Sequence, residues 1–332
     1  MIRDEQSLSR LLARLADGDY HSGDELGECL GVSRAAVWKQ LRKLDDLGLE
    51  LESVRGKGYR LAGGLEMLDP QKLRSALSAE TLSVVSALDI LTTTDSTNSR
   101  ALERAAEGRT GYVCLAEHQS AGRGRRGRTW VSPFGRNLYL SLGWSFEGGA
   151  SQLEGLSLAV GVALCQVLER HGLTGLALKW PNDVLWRGKK LAGILLEMAG
   201  DPAGACHVVV GVGMNLAMPP EAAKQIEQPW VDLGSVCDQE SCQWPERNAL
   251  AASLIERLVS LLSHYHRTGF SHWRQEWQGR DAFSGRPVRL SSGTRVLEGI
   301  ARGVDETGAL RLDVNGELVR CHGGELSMRA VS

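Results

Sequence analysis

Charge excess, long apolar runs and a cysteine framework are all missing from this chain of 332 residues. Its formal net charge of −2 is close to balance, so nothing global advertises nucleic acid, and any basic surface must be local. No stretch approaches the roughly 18 consecutive apolar residues that mark a membrane helix. The opening segment MIRDEQSLSRLLARL is amphipathic and charged, without the apolar centre of an export signal. The seven cysteines are odd in number, scattered and without a C-x-x-C pair, which predicts reduced thiols in a cytoplasmic protein. The neighbours Cys206-His207 and Cys321-His322 lack tetrahedral zinc spacing. There is no G-x-S-x-G and no H-E-x-x-H, so covalent catalysis through an enzyme nucleophile is unsupported. With 42% apolar content and neither internal repeats nor low-complexity tracts, the chain reads as a globular protein of two or three domains.

Residues 1–64 read as three helices followed by a hairpin. Leu8, Leu11, Leu12 and Leu15 recur at helical spacing, and Ser22 and Ser33 each cap a following helix, with Gly31 in the turn between. Val37, Leu41 and Leu44 form the core stripe of the third helix, which leaves Arg34, Lys39, Gln40, Arg42 and Lys43 mostly outward. LELESVRGKGYRL then alternates around a Gly-Lys-Gly turn like a β-wing, with Arg55, Lys57 and Arg60 able to approach phosphates. A charged helical face is usually only solvated, and Asp45, Asp46, Glu50 and Glu52 dilute this one. The order cap, short helix, turn, cap, basic helix, basic wing nevertheless predicts a winged helix-turn-helix.

GGLEMLDPQ reads as a linker into residues 65–278, where strands and helices mix without a regular βαβ beat. That pattern predicts an α+β domain with helices on one face of a mixed sheet. Residues 279–332 are dense in short alternating strands and turn dipeptides, which predicts a small SH3-like β-barrel.

Four clusters in the central region carry chemistry. The first is GRGRRG, residues 122–127, which spells G-x-G-x-x-G after a plausible strand. No helix follows, because Pro133, Gly135 and aromatic and β-branched residues break the period, and a Walker loop would need Gly-Lys-Ser/Thr. What remains is a glycine loop holding Arg123, Arg125, Arg126 and Arg128, suited to a triphosphate, with nucleic acid as rival guest. In DSTN, Ser96 reads equally as a cap or, with Thr97 and Asn98, as a polar ligand site at a helix end. In KWPNDVLWRGKKLAGI, Lys179, Asn182 and Asp183 end one strand while Lys189 and Lys190 begin the next. An ammonium at Lys190, entering an apolar strand, needs an anionic partner. Gly211 and Gly213 weaken their strand unless something approaches its backbone closely, and Trp230 reads as core or as a stacking platform.

DSTN, AEHQSAGRGRRGRTWVSPFGRNLYLS, KWPNDVLWRGKKLAGILLE, GVGMN and the closing GGELSMR resemble the biotin-protein ligases. Together with HSGDELGECLGVSRAAVWKQLRKL and RGKGYRL, nearly the whole chain resembles the bifunctional bacterial form, ligase and biotin-operon repressor in one. The resemblance implies a central domain related to class II synthetase-like folds. It implies that biotin and Mg-ATP give biotinyl-5′-adenylate, from which biotin passes to a lysine of the apo biotin carboxyl carrier protein of acetyl-CoA carboxylase. It further implies that the adenylate-bound chain forms a homodimer on operator DNA, with no membrane partner.

Carried over residue by residue, the resemblance assigns biotin to Ser96, Thr97, Asn98, Gln119, Gly122, Arg123, Arg125 and Lys190. It assigns ATP or adenylate to Arg123, Arg125, Arg126, Arg128, Trp130, Asn182, Asn215 and Trp230. Arg125, Lys179, Asp183 and Lys190 are its catalytic set, with Asp183 also placed at Mg²⁺. Ser22, Ser33, Arg34, Lys39, Gln40, Lys43, Arg55 and Lys57 are its DNA-contacting set. Two rivals are weaker: a sensor that binds without transferring, and a lipoate or octanoate ligase of related fold.

Overall fold

The computed structural model describes residues 2–200, 206–292, 295–323 and 326–330; Gly324 and Glu325 of the closing GGELSMR lie outside them. Helices α1 (Ile2–Leu15), α2 (Gly23–Leu30) and α3 (Arg34–Asp46) precede strands β1 (Leu51–Val54) and β2 (Gly58–Leu61). Ser22 opens α2 through a capping box: its hydroxyl accepts from Glu25 N at 3.1 Å, and the Glu25 carboxylate accepts from Ser22 N at 2.8 Å. Ser33 accepts from Ala36 N at the start of α3. Leu11, Leu12, Leu15, Leu26, Val37, Leu41 and Leu44 are buried together beneath the antiparallel wing. Tyr59 of the wing exchanges backbone hydrogen bonds with His21, so the hairpin is tied to the entry of α2.

Helices α4 (Pro70–Ala76) and α5 (Ala79–Val84) lead into the central sheet. Its strands are β3 (Ala87–Leu91), β4 (Tyr112–Ala116), β5 (Leu138–Phe146), β6 (Leu176–Lys179), β7 (Asp183–Trp186), β8 (Lys189–Gly200) and β9 (Cys206–Met214). They lie in the order β3-β4-β5-β9-β8-β7-β6. The β3–β4 pair is parallel and the other ladders are antiparallel, which makes the sheet mixed as its sequence implied.

The expectation of helices on one face is not met. Leu138, Leu140 and Leu142 of β5 and Val208, Val210 and Val212 of β9 join the core of α7 (Leu156–Arg170) and α10 (Arg247–Thr268). Helix α6 (Thr97–Ala106) packs on the opposite face, with Ala101 against Tyr112, Cys114 and Val209. Small side chains there, Ser141, Gly143 and Gly211, let that helix approach the strands. Helices α8 (Pro220–Ala223), α9 (Leu233–Glu240) and α11 (Ser271–Gly279) complete the domain.

Strands β10 (Pro287–Ser292), β11 (Arg295–Val304), β12 (Leu310–Val314), β13 (Glu317–Cys321) and β14 (Ser327–Ala330) form an antiparallel sheet in the order β13-β12-β11-β10-β14. Among the described residues no ladder joins β13 to β14, so the expected barrel is seen as a five-stranded sheet. The N-terminal domain is not merely tethered. Phe134, from the segment after the arginine loop, is 1% exposed and lies in the core formed by Leu11, Leu12 and Leu65.

Candidate functional site

The open face of the central sheet, beside the first turn of α6, carries a pocket into which the β4–β5 loop and the starts of β7 and β8 converge. Ser96 occupies the N-cap position of α6 and is 3% exposed, yet its hydroxyl makes no capping bond. That removes capping as the account of Ser96, which lines the pocket. Thr97 N donates to Gln119 Oε1 at 2.9 Å, and the Gln119 amide donates to Ser132 Oγ at 3.2 Å. Asn98 is held on both sides: Ser141 Oγ donates to its Oδ1 at 2.5 Å, and its Nδ2 donates to Glu197 Oε2 at 2.7 Å. Arg123 reaches the same carboxylate at 3.1 Å and Ser99 Oγ at 2.8 Å. The α6 end and the arginine loop are thus joined through Glu197. Neither Ser141 nor Glu197 was singled out from sequence, although each is a polar residue breaking an apolar strand.

The pocket floor needs glycine. A Cβ on Gly211 would collide with the Asn98 amide, and one on Gly213 would stand 2.5 Å from the Trp130 ring. Trp130 lies half-buried over this floor, and its Nε1 has no hydrogen-bond partner among the described residues. Lys190 Nζ is 5.3 Å from the Trp130 ring centroid and 2.7 Å from Asp183 Oδ1. Lysine 190 and Asp183 are mostly buried, so the anion that the sequence demanded for this lysine is Asp183. Lys179 stands opposite Asp183 in the β6–β7 register, and burial holds its ammonium below the usual lysine range against the pull of Asp183.

The remaining candidates divide by position. Asn182 is anchored, its Nδ2 donating to Ile194 O at 2.7 Å while its Oδ1 accepts from Arg125 at 3.4 Å. Arg125 reaches out of the central domain, donating to Gly323 O and, at 3.2 Å, to Leu326 O. Burial lowers its pKa, opposed by Asp183. Arg126, at φ +61°, donates to Ser291 O at 3.2 Å, and Arg128 is exposed. Gly122 is buried where a Cβ would crowd Ser132 Oγ and Trp130 O at 2.7 Å. Asn215 is 4% exposed and its amide donates to Val231 O at 3.2 Å and Lys190 O at 3.4 Å. Trp230 pairs with Lys190 along the backbone, and Lys190, but not Trp230, lines the pocket.

On the first domain Arg34, Lys39, Arg55 and Lys57 are exposed. Gln40 instead donates to Ser7 Oγ at 2.8 Å, and Lys43 is half-buried, so these two side chains lean toward the body of the domain. Arg60 is neutralised by Glu52 at 2.8 Å.

Fold and site define the biotin and lipoate ligase class. The family "Biotin/lipoate A/B protein ligase" matches residues 90–215, an "HTH domain" residues 7–60, and the "Biotin protein ligase C terminal domain" residues 283–329. The chain is 42% identical to the bifunctional ligase/repressor BirA of Salmonella typhimurium, over 96% of this chain and 97% of that protein. It is 40% identical to the Escherichia coli protein of the same description, over 97% of each. A biotin protein ligase from Aquifex aeolicus solved with biotin and ATP superposes with a TM-score of 0.62 at 26% identity, covering 74% of this chain and all of that one. The chain belongs to the bifunctional biotin ligase/repressor family.

Proposed function

We propose that this protein activates biotin with ATP to biotinyl-5′-adenylate, transfers biotin to a lysine of a biotin carboxyl carrier protein, and as the adenylate complex represses the biotin operon. The observation that carries the ligase reading is Lys190, buried beside Asp183 and above Trp130 in a pocket walled by Ser96, Asn98 and Arg123. Thr97, Asn98 and Gln119 offer amide and hydroxyl groups for the ureido head of biotin, with Ser96 and Gly122 beside them. Lys190 faces the carboxylate end, where its ammonium stabilises charge developing as that carboxylate attacks the α-phosphate.

Arg123, Arg125, Arg126 and Arg128 supply the phosphate clamp, and Trp130, Asn182, Asn215 and Trp230 border the nucleotide. Lys179 adds positive charge beside the transferring group. Among the described residues no three acidic, histidine or cysteine side chains cluster to cage a metal. Asp183 is the carboxylate that would hold Mg²⁺ entering with the nucleotide, and the ion would supply charge neutralisation at the phosphates. A closed loop excludes the water that would hydrolyse the mixed anhydride.

The domain order supports the regulatory half: exposed Arg34, Lys39, Arg55 and Lys57 suit operator phosphates, and homodimerisation would supply two-fold symmetry. No helix among the described residues is long and apolar enough to cross a membrane, and a DNA partner supports a cytoplasmic location.

Intact mass of an apo carrier domain, after incubation with the protein, ATP, Mg²⁺ and equal biotin and lipoate, tests the ligase. One ATP-dependent biotinyl addition is expected. A lipoyl addition, or none, overturns the reading. A second test addresses the floor: Gly211→Ala should weaken biotin binding at least about tenfold by calorimetry, since Asn98 cannot yield without losing Ser141 and Glu197. Unchanged affinity would remove Asn98 from the biotin contacts.

A further inference from the structure

We propose that Trp38 is a base-reading residue of the DNA-binding domain, its indole entering the major groove between two arginines and packing on the C5-methyl of a thymine. The inference rests on the DNA-binding half of the function proposed above and adds the residue and base that give it specificity. Burial divides α3 sharply: Val37, Leu41 and Leu44 are within the core, whereas Trp38 is 52% exposed. An indole half open to water on a short helix is apolar area that the core of its domain does not cover.

Its surroundings define that partner. Arg34 and Arg42 stand one turn before and after it, and the Arg42 guanidinium is 5.0 Å from the Trp38 ring centroid. Lys39 is exposed beside it, and the side chain toward the start of the helix is the small, exposed Ala35. An aromatic surface inside a ring of cations is complementary to a duplex, where phosphates take the cations and a groove edge takes the ring. Ser33 caps α3, so Trp38 lies in the second turn, within the N-terminal half that a recognition helix inserts into the groove.

The far end of the same face carries exposed Asp45 and Asp46, which phosphates repel, so the duplex must lie over the first half of the helix. Exposed Arg55 and Lys57 on the wing extend the positive surface to the neighbouring backbone. With Gln40 turned toward Ser7, Trp38 is the large outward side chain of this half that can read a methyl group.

The test begins with enrichment of a random duplex pool by the full-length protein in biotin, ATP and Mg²⁺. Each thymine of the enriched duplex is then replaced in turn by deoxyuridine, which deletes only the methyl. One thymine per half-site should weaken wild-type binding about tenfold when replaced, within the usual cost of one altered contact. Trp38→Ala should lose a similar factor on the thymine duplex and be indifferent to that deoxyuridine. Its slope of affinity against salt should match the wild type, because no phosphate contact is lost. Trp38→Phe should restore part of the discrimination, and Trp38→Ala should biotinylate the carrier domain at the wild-type rate, showing an intact fold. A Trp38→Ala protein that still distinguishes every thymine as the wild type does overturns the proposal. A wild-type protein that enriches no sequence overturns the DNA-binding reading itself and the proposal with it.

Discussion

Replacing Arg247 by methionine is expected to destabilise the protein by about 3–5 kcal/mol, the usual cost of leaving one charge of a buried pair alone. Arg247 and Glu117 are 3% and 2% exposed, and Nη1 of the arginine donates to Glu117 Oε2 at 2.5 Å. The guanidinium also donates to Glu66 O and twice to Asn137 O, so methionine would orphan several buried acceptors at once. Glu117 Oε1 meanwhile accepts from Leu68 N at 2.7 Å, and Glu66 Oε2 accepts from Arg247 N at 2.6 Å. The pair therefore clasps the linker between the first and second domains against the base of the arginine loop. Urea midpoints measure the effect. Adding Glu117→Leu to Arg247→Met should recover much of the loss, because both charges then leave together. A single-variant loss below about 1 kcal/mol would mean that the pair is not desolvated as the structure indicates.

Lys190→Ala is expected to slow adenylate formation by about a hundred- to a thousandfold, the range for deleting one preorganised donor to developing charge. The measurement is biotin-dependent exchange of pyrophosphate into ATP, with thermal melting as a control. Lys190→Met preserves the stem against Trp130 and should be as inactive while melting closer to the wild type, which separates charge from packing. An exchange rate within tenfold of the wild type would remove Lys190 from the chemistry and leave it as the counter-ion of Asp183.

Much of this was legible along the chain. Helix caps and turns are local devices, so Ser22, Ser33 and Gly31 announced the first domain without any tertiary information. Lys190 could be singled out because a charge entering an apolar strand is costly wherever that strand ends up. Gly211 and Gly213 were legible for the same kind of reason: a strand tolerates glycine poorly unless something lies against it. Ser96 was undecidable, since a cap and a ligand group use the same residue type, and only its missing capping bond separates them.

By itself the sequence determined the domain order, the mixed character of the central sheet, the arginine loop and the family, all of which follow from local periodicity, turn chemistry and contiguous motifs. Only the tertiary structure decided which face α6 covers, that Glu197 joins Asn98 to Arg123, and that Asp183 partners Lys190. It alone placed Arg125 and Arg126 on backbone carbonyls of the C-terminal sheet region, and Phe134 in the core of the first domain. The Arg123–Glu197 and Arg125–Leu326 hydrogen bonds join residues 74 and 201 positions apart in the chain. No propensity or spacing encodes such a pairing, because it depends on how whole elements pack once each has formed.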